Sequence, residues 1–183
     1  MQKKETPERK WFELSTKRLV LLGLMVALNV VLGRLNIQLT QEVRISVLGF
    51  LPVAVAGMLM GPMFGALTGA AGDIVNFLLF THVYGPYFPG YTITYLLSGI
   101  WYGLVLHGKK PTWARAALSI VPVIVLGEMG LNSLWVYIMY YKTFWANLPM
   151  RILTNVIECP LKIMLVMFMG KALERFPKSY LKL

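Results

Sequence analysis

Acidic residues are scarce in this chain. Asp and Glu number 8 against 18 Lys and Arg, and charged residues make up 14% of its 183 positions, where a soluble globular domain carries roughly 25%. No Lys, Arg, Asp or Glu falls between Arg18 and Arg34, from Ile45 to Gly72, or from Ile74 to Gly108. The longer gaps exceed the ~20 apolar residues of a membrane span, which excludes a water-soluble single domain. Cysteine is nearly absent as well: Cys159 stands alone in an apolar segment, so neither a disulfide framework nor a cysteine zinc site is available. The chain lacks GxxxxGK[ST], HExxH and GxSxG, and its two histidines, His82 and His107, fall at opposite ends of the membrane segments. ATP hydrolysis, zinc hydrolysis and serine catalysis therefore have no parts here, and uphill transport by this chain needs an energy source elsewhere. In a membrane protein an excess of Lys and Arg records orientation rather than affinity for nucleic acid, so no nucleic-acid partner is expected.

What is present reads as an all-α, polytopic membrane protein of six transmembrane helices. The spans fall at about 19–35, 45–60, 63–80, 91–107, 116–141 and 149–170. Gly61-Pro62, HVYGPYFPG and HGKKPTW are connections through which no helix continues. Pro52 and Gly57 imply that the short second span is kinked, tilted or only partly crosses the bilayer. Residues 1–18 form a polar segment with Trp11 and Phe12 at headgroup depth, residues 19–172 the membrane domain, and residues 173–183 a tail. Six Lys/Arg lie in the N-terminal segment, three in the fourth connection (Lys109, Lys110, Arg115) and four at the end. The opposite side has Arg34, Arg44, Lys142 and Arg151, so both termini are expected in the cytoplasm of a cell-membrane protein. Nothing resembles a cleavage site after the first span.

Polar groups interrupt the apolar segments with helical spacing. Arg151, Asn155, Glu158 and Lys162 stack on one stripe of the sixth span, Glu128, Asn132 and Trp135 on one of the fifth, and Asp73 and Asn76 on the third. A charge at mid-bilayer costs about 2.5 to 3.5 kcal/mol on insertion scales, so several together predict a polar cavity between helices. Glu128, Glu158 and Lys162 read equally as a paired structural set. Asp73, Asn132, Asn155, Arg34 and Arg151, in the outward half, are the better ligand candidates. Pro160 removes a backbone hydrogen bond and predicts a kink near Glu158.

Aromatic residues crowd the outward side, among them Phe80, Tyr84, Tyr87, Phe88, Tyr91, Tyr95, Tyr137, Tyr140, Tyr141, Phe144 and Trp145. An interfacial belt explains most of them. Trp135, on the same face as Glu128 and Asn132, suits stacking on a planar ligand. HVYGPYFPG reads either as a lid or as a plain connector. Gly57, Gly61, Gly65 and Gly69 recur every fourth residue, as do Gly23 and Ala27. Such small-residue surfaces serve internal packing or a partner subunit alike.

The segments FLPVAVAGMLMGPMFGALTGAAGDIVNFLLF (50–80), GPYFPGYTITYLLSGIWYGL (85–104) and LNSLWVYIMYYKTFWANLPMRILTNVIECPLK (131–162) resemble the substrate-binding S components of energy-coupling factor (ECF) vitamin transporters, and among them the folate branch. Glu158 and Lys162 depart from that resemblance, which otherwise covers about residues 19–170. It implies a non-enzymatic six-helix subunit that captures folate from outside and docks on a coupling membrane subunit driven by two cytoplasmic ATPases. It also implies no cofactor of its own, with ATP used by the partners, and a partner surface at Gly23, Ala27, Gly61, Gly65 and Gly69. Folate chemistry suits the candidate residues. The pterin edge offers paired N–H donors to Asp73, with Asn132 or Asn155 for the remaining edge and Asn76 as a further candidate binding residue. Trp135 or Tyr87 faces the rings, and Arg34, Arg44, Lys142 or Arg151 holds the glutamate carboxylates. The residues alone leave open another vitamin such as riboflavin or thiamine, a pterin-like precursor, an intramembrane enzyme using Glu128, Glu158 and Asn155, and a small channel.

Overall fold

The computed structural model describes residues 15–35, 37–38, 44–84, 87–140 and 144–175. The N-terminal segment through residue 14, Gly85 and Pro86 of the expected lid, Tyr141, Lys142 and the tail from residue 176 lie outside the described residues, as do the side chains of Arg44, His82, Tyr84, Tyr140, Phe144 and Trp145.

Among the described residues six helices follow the expected breaks. Ser15 accepts the N–H of Arg18 at 3.4 Å and caps α1, Thr16–Leu32. α2, Leu51–Met60, admits Pro52 in its first turn, where no N–H is needed. It ends at Gly61, whose φ of 95° lies in the region that favours glycine. α3, Pro62–Tyr84, starts on a proline and departs from helical geometry at Phe80. α4 spans Pro89–Leu106. α5 begins under the Thr112 cap and runs as α-helix over Trp113–Pro122, as π-helix over Val123–Leu131 and again as α-helix over Asn132–Tyr140. α6, Phe144–Arg175, continues unbroken through Pro149 and Pro160. Within these helices Pro62–Phe80, Trp113–Met139 and Pro149–Arg175 are long and apolar enough to cross a membrane.

Two expectations need correction. Residues 45–50 do not belong to a span: β1, Ile37–Gln38, pairs antiparallel with β2, Arg44–Ile45, and a turn through Ser46 and Gly49 leads into α2. Lack of charge marks a segment as shielded from water, not as helical, and residues 46–50 lie half-buried as a strap between helices. The ten residues of α2 rise only about 15 Å, half of the hydrocarbon thickness. The fifth span, in turn, is not a uniform α-helix. Pro122 starts the π stretch by withholding an N–H, and the Asn132 N–H bonds back five residues to the Gly127 carbonyl.

Packing places glycines where main chains touch. A methyl group on Gly65 would sit 2.5 Å from the Gly99 carbonyl oxygen, and one on Gly57 would sit 2.9 Å from the Gly103 nitrogen. α2, α3 and α4 thus meet backbone to backbone, a contact that small residues permit and larger ones forbid. A core of Val53, Tyr102, Ile120, Ile124 and Val166 joins α2, α4, α5 and α6, while Met25, Ala56, Met60 and Phe64 join α1 to α2 and α3.

Candidate functional site

The polar stripe of α6 is formed as the spacing predicts. Asn155, Glu158 and Lys162 are buried, while Leu153, Val156, Ile157 and Leu161 on the other sides are exposed. Lys162 Nζ lies 2.8 Å from Glu128 Oε1 and 2.6 Å from Glu158 Oε2, with the Phe50 ring centroid 5.9 Å away. The other oxygen of Glu158 accepts the main-chain N–H of Ser46 at 2.9 Å. On the far side of the strap Asn29 Nδ2 donates to the Gly49 carbonyl at 2.7 Å. The connection between α1 and α2 is thereby held by α1 and α6 together.

The stripe of α5 does not survive as one face. More residues per turn in the π stretch rotate the next turns of the helix away from their α-helical direction, so Glu128 meets α6 whereas Trp135 meets α4. Trp135 Nε1 donates to Thr94 Oγ1 at 2.9 Å, and its ring lies 5.6 Å from that of Phe88. Both rings close over Gly90, where a methyl group would clash with Trp135. Arg151 donates from Nη1 to the main-chain oxygen of Glu128 at 3.2 Å, joining the outer part of the α6 stripe to α5. Among the described residues the buried Oδ1 atoms of Asn132 and Asn76 and the Oγ of Ser133 have no hydrogen-bond partner. Buried polar atoms are rarely left so.

Asp73 is built into a second network. Its Oδ2 accepts from Thr92 Oγ1 at 2.6 Å, Thr92 shares a 2.8 Å hydrogen bond with the Tyr87 hydroxyl, and the Tyr87 ring stands 5.0 Å from Phe77. Asp73 and Tyr87 are therefore brought together, joining α3 to the residues that enter α4. Arg34, just past α1, stacks its guanidinium 3.4 Å from the centre of the Phe80 ring, at the position where α3 leaves helical geometry. Asn76 lies beside Gly33, with its Nδ2 3.2 Å from where a Gly33 methyl group would be.

The glycine ladder divides. Gly61, Gly65 and Gly69 are buried, with Gly65 directed at Gly99 and Gly69 at the Tyr95 carbonyl. A methyl group on Gly23 would meet nothing within 4 Å, and Gly23 and Ala27 lie exposed on α1. Close packing of α3 on α4 thus accounts for Gly65 and Gly69, against the expectation that they line a partner surface.

Sequence reasoning missed Asn29, Ser46, Thr92 and Thr94, and left Phe88 among the aromatics of an interfacial belt. Asn29 had a signal, a lone amide inside an apolar run. Thr92 and Thr94 had less, because a threonine in a membrane helix ordinarily bonds its own backbone. Among the described residues no three His, Cys, Asp or Glu side chains gather to hold a metal.

Comparison with known proteins agrees with this architecture. The family model for the ECF transporter substrate-specific component matches residues 17–170. The folate transporter FolT of Clostridium novyi is 29% identical over 158 residues, covering 86% of this chain and 90% of its own. That of Leuconostoc mesenteroides is 28% identical over 167 residues, covering 87% and 88%. A crystal structure of FolT bound with folic acid superposes with a TM-score of 0.80 at 31% identity, over 86% of this chain and 95% of that one. The chain belongs to the substrate-specific components of ECF transporters, polytopic membrane subunits that serve transport and are not enzymes.

Proposed function

We propose that this subunit binds folate at the outward side of the membrane and delivers it to an ECF module. The observation that carries the reading is that the helices of a membrane bundle carry buried amides, two arginines and a set of aromatic rings. Arg34 stacks on Phe80 just past α1, Asn76 stands on α3, Tyr87 and Phe88 lead into α4, Asn132 and Trp135 stand on α5, and Arg151 of α6 bonds the Glu128 carbonyl. Folate needs all three of these chemistries: aromatic faces for its rings, amide groups for its heterocyclic edges, and cations for two carboxylates. Relatives named for folate transport, and a solved one holding folic acid, support the same cargo. In this reading Arg34 and Arg151 hold the glutamate end, Trp135 faces a ring, and Asp73 and Asn155 complete the polar lining.

The six helices cross the membrane with both termini in the cytoplasm, α2 reaching only part of the way, and residues 19–172 form the membrane domain of a cell-membrane protein. The inward ends carry Lys109, Lys110, Arg115, Lys171 and Arg175, as the positive-inside rule requires. Docking on a coupling membrane subunit, itself driven by two ATPases, uses the exposed small face of α1 at Gly23 and Ala27. Folate is the cargo, and the subunit holds no cofactor of its own.

Titration of detergent-purified protein with folate, riboflavin and thiamine, followed by tryptophan fluorescence, tests the cargo. Quenching by folate alone is expected. Arg151→Ala is expected to weaken folate by about 1.5 to 3 kcal/mol, the worth of a charge-assisted hydrogen bond. Folded protein that responds to none of the three ligands rejects the reading.

A further inference from the structure

The ion-paired set on α5 and α6 is unbalanced in both charge and exposure. Two carboxylates, Glu128 and Glu158, contact one ammonium, that of Lys162. Glu158 and Lys162 are sealed, with side chains 4% and 3% exposed, and Glu158 places its second oxygen on the Ser46 N–H. Glu128 differs: its side chain is 31% exposed, and only Oε1 is engaged by a side chain among the described residues. Arg151, the neighbouring cation, reaches the main-chain oxygen of Glu128 with Nη1. A carboxylate open toward hydrocarbon is costly, which favours a polar space within the bundle on its open side. One helical turn onward, Asn132 Oδ1 and Ser133 Oγ are buried without partners among the described residues. Glu128, Asn132 and Ser133 thus leave positions along the middle of α5 that no donor among the described residues fills.

We infer that Glu128 is the specificity-determining group that receives the N–H edge of the ligand's heterocycle. The inference rests on the folate reading and moves the recognition of the pterin edge from Asp73, which Thr92 already engages, to the carboxylate on α5. Lys162 is a positioning residue. Clasped between two carboxylates and the Phe50 ring, it balances the charge of Glu128 and fixes the direction of its carboxylate. A carboxylate has about four acceptor positions, so the bond to Lys162 leaves room for the adjacent ring N–H and exocyclic amino group of a 2-amino-4-oxopteridine. A flat ring lacking paired donors leaves that acceptor desolvated and unmatched, which rejects it more strongly than a missing apolar contact does.

Replacement of Glu128 by glutamine leaves the sealed Lys162–Glu158 pair electrically neutral, so the folded bundle is expected to persist, as a thermal melt in detergent reports. The experiment measures Kd for folate and for its 2-desamino analogue in wild-type, Glu128→Gln and Glu128→Asp proteins. Wild-type protein is expected to prefer folate roughly 10- to 100-fold, and Glu128→Gln to lose that margin and bind the two ligands alike. Glu128→Asp, which keeps the charge but withdraws it by one methylene, is expected to retain part of the margin. A Glu128→Gln protein that binds folate like the wild type, or weakens both ligands by one factor and keeps the margin, overturns the role of Glu128. So does a Glu128→Asp protein equal to the wild type for both ligands. Wild-type protein that binds neither ligand overturns the folate reading and this inference with it.

Discussion

Ser46 and Glu158, 112 positions apart, are joined by a 2.9 Å hydrogen bond from the main-chain N–H of the first to a carboxylate oxygen of the second. The strap between α1 and α2 is thereby fixed to the middle of α6, where Glu158 also holds Lys162.

Ser46→Pro removes the donor while leaving Ile45 in the extended conformation that a following proline favours. One carboxylate oxygen of Glu158 then lacks its partner, at a cost of about 1 to 3 kcal/mol. A lower melting temperature in detergent is expected. An unchanged melt rejects the strap as a structural tie.

Lys162→Met leaves two carboxylates facing each other without their cation. Breaking a buried ion pair from one side costs about 3 to 5 kcal/mol, whereas replacing a whole set with apolar or neutral groups is often tolerated. The single variant is expected to fold poorly. Adding Glu158→Leu and Glu128→Gln is expected to recover much of the melting temperature, and failure to recover it contradicts the assignment of Lys162 to these two partners.

Gly65→Ala and Gly23→Ala separate internal from external small residues. The first drives a methyl group against the Gly99 carbonyl, and overpacking of that kind costs about 1 to 3 kcal/mol. The second meets open space and gains as much as ~1 kcal/mol of helix propensity. Thermal melts of the two variants are expected to move in opposite directions. Gly23→Leu is expected to leave ligand binding intact and to weaken co-purification with the ECF module.

Thr92→Val cuts the link from Asp73 to Tyr87 without altering charge or volume much. Folate affinity is expected to fall by about 0.5 to 1.5 kcal/mol, the net worth of an ordinary hydrogen bond, through loss of the Tyr87 position. A Thr92→Val protein with wild-type affinity shows that this network serves only to join α3 to α4.

Much of the architecture was legible along the chain. Missing charge located the buried segments, Gly61-Pro62 separated α2 from α3, and the spacing of Arg151, Asn155, Glu158 and Lys162 identified the buried stripe of α6, because a helix repeats its faces every three to four residues whatever packs on it. The same rule failed in α5, where Pro122 opens a π-helix and Glu128 and Trp135 turn to different neighbours. Local spacing also left the glycine ladder ambiguous, since a flat helical surface looks alike whether it meets α4 or another protein. Pairing across the fold was beyond the sequence altogether. That Ser46 would reach Glu158, Thr92 would bind Asp73 and Glu128 would keep one side open depends on which helices become neighbours and at what depth. Composition and periodicity decide what must be buried; only the closed tertiary structure decides against which partner, because desolvated polar groups bond to whatever donor or acceptor the packing of main chains brings within reach.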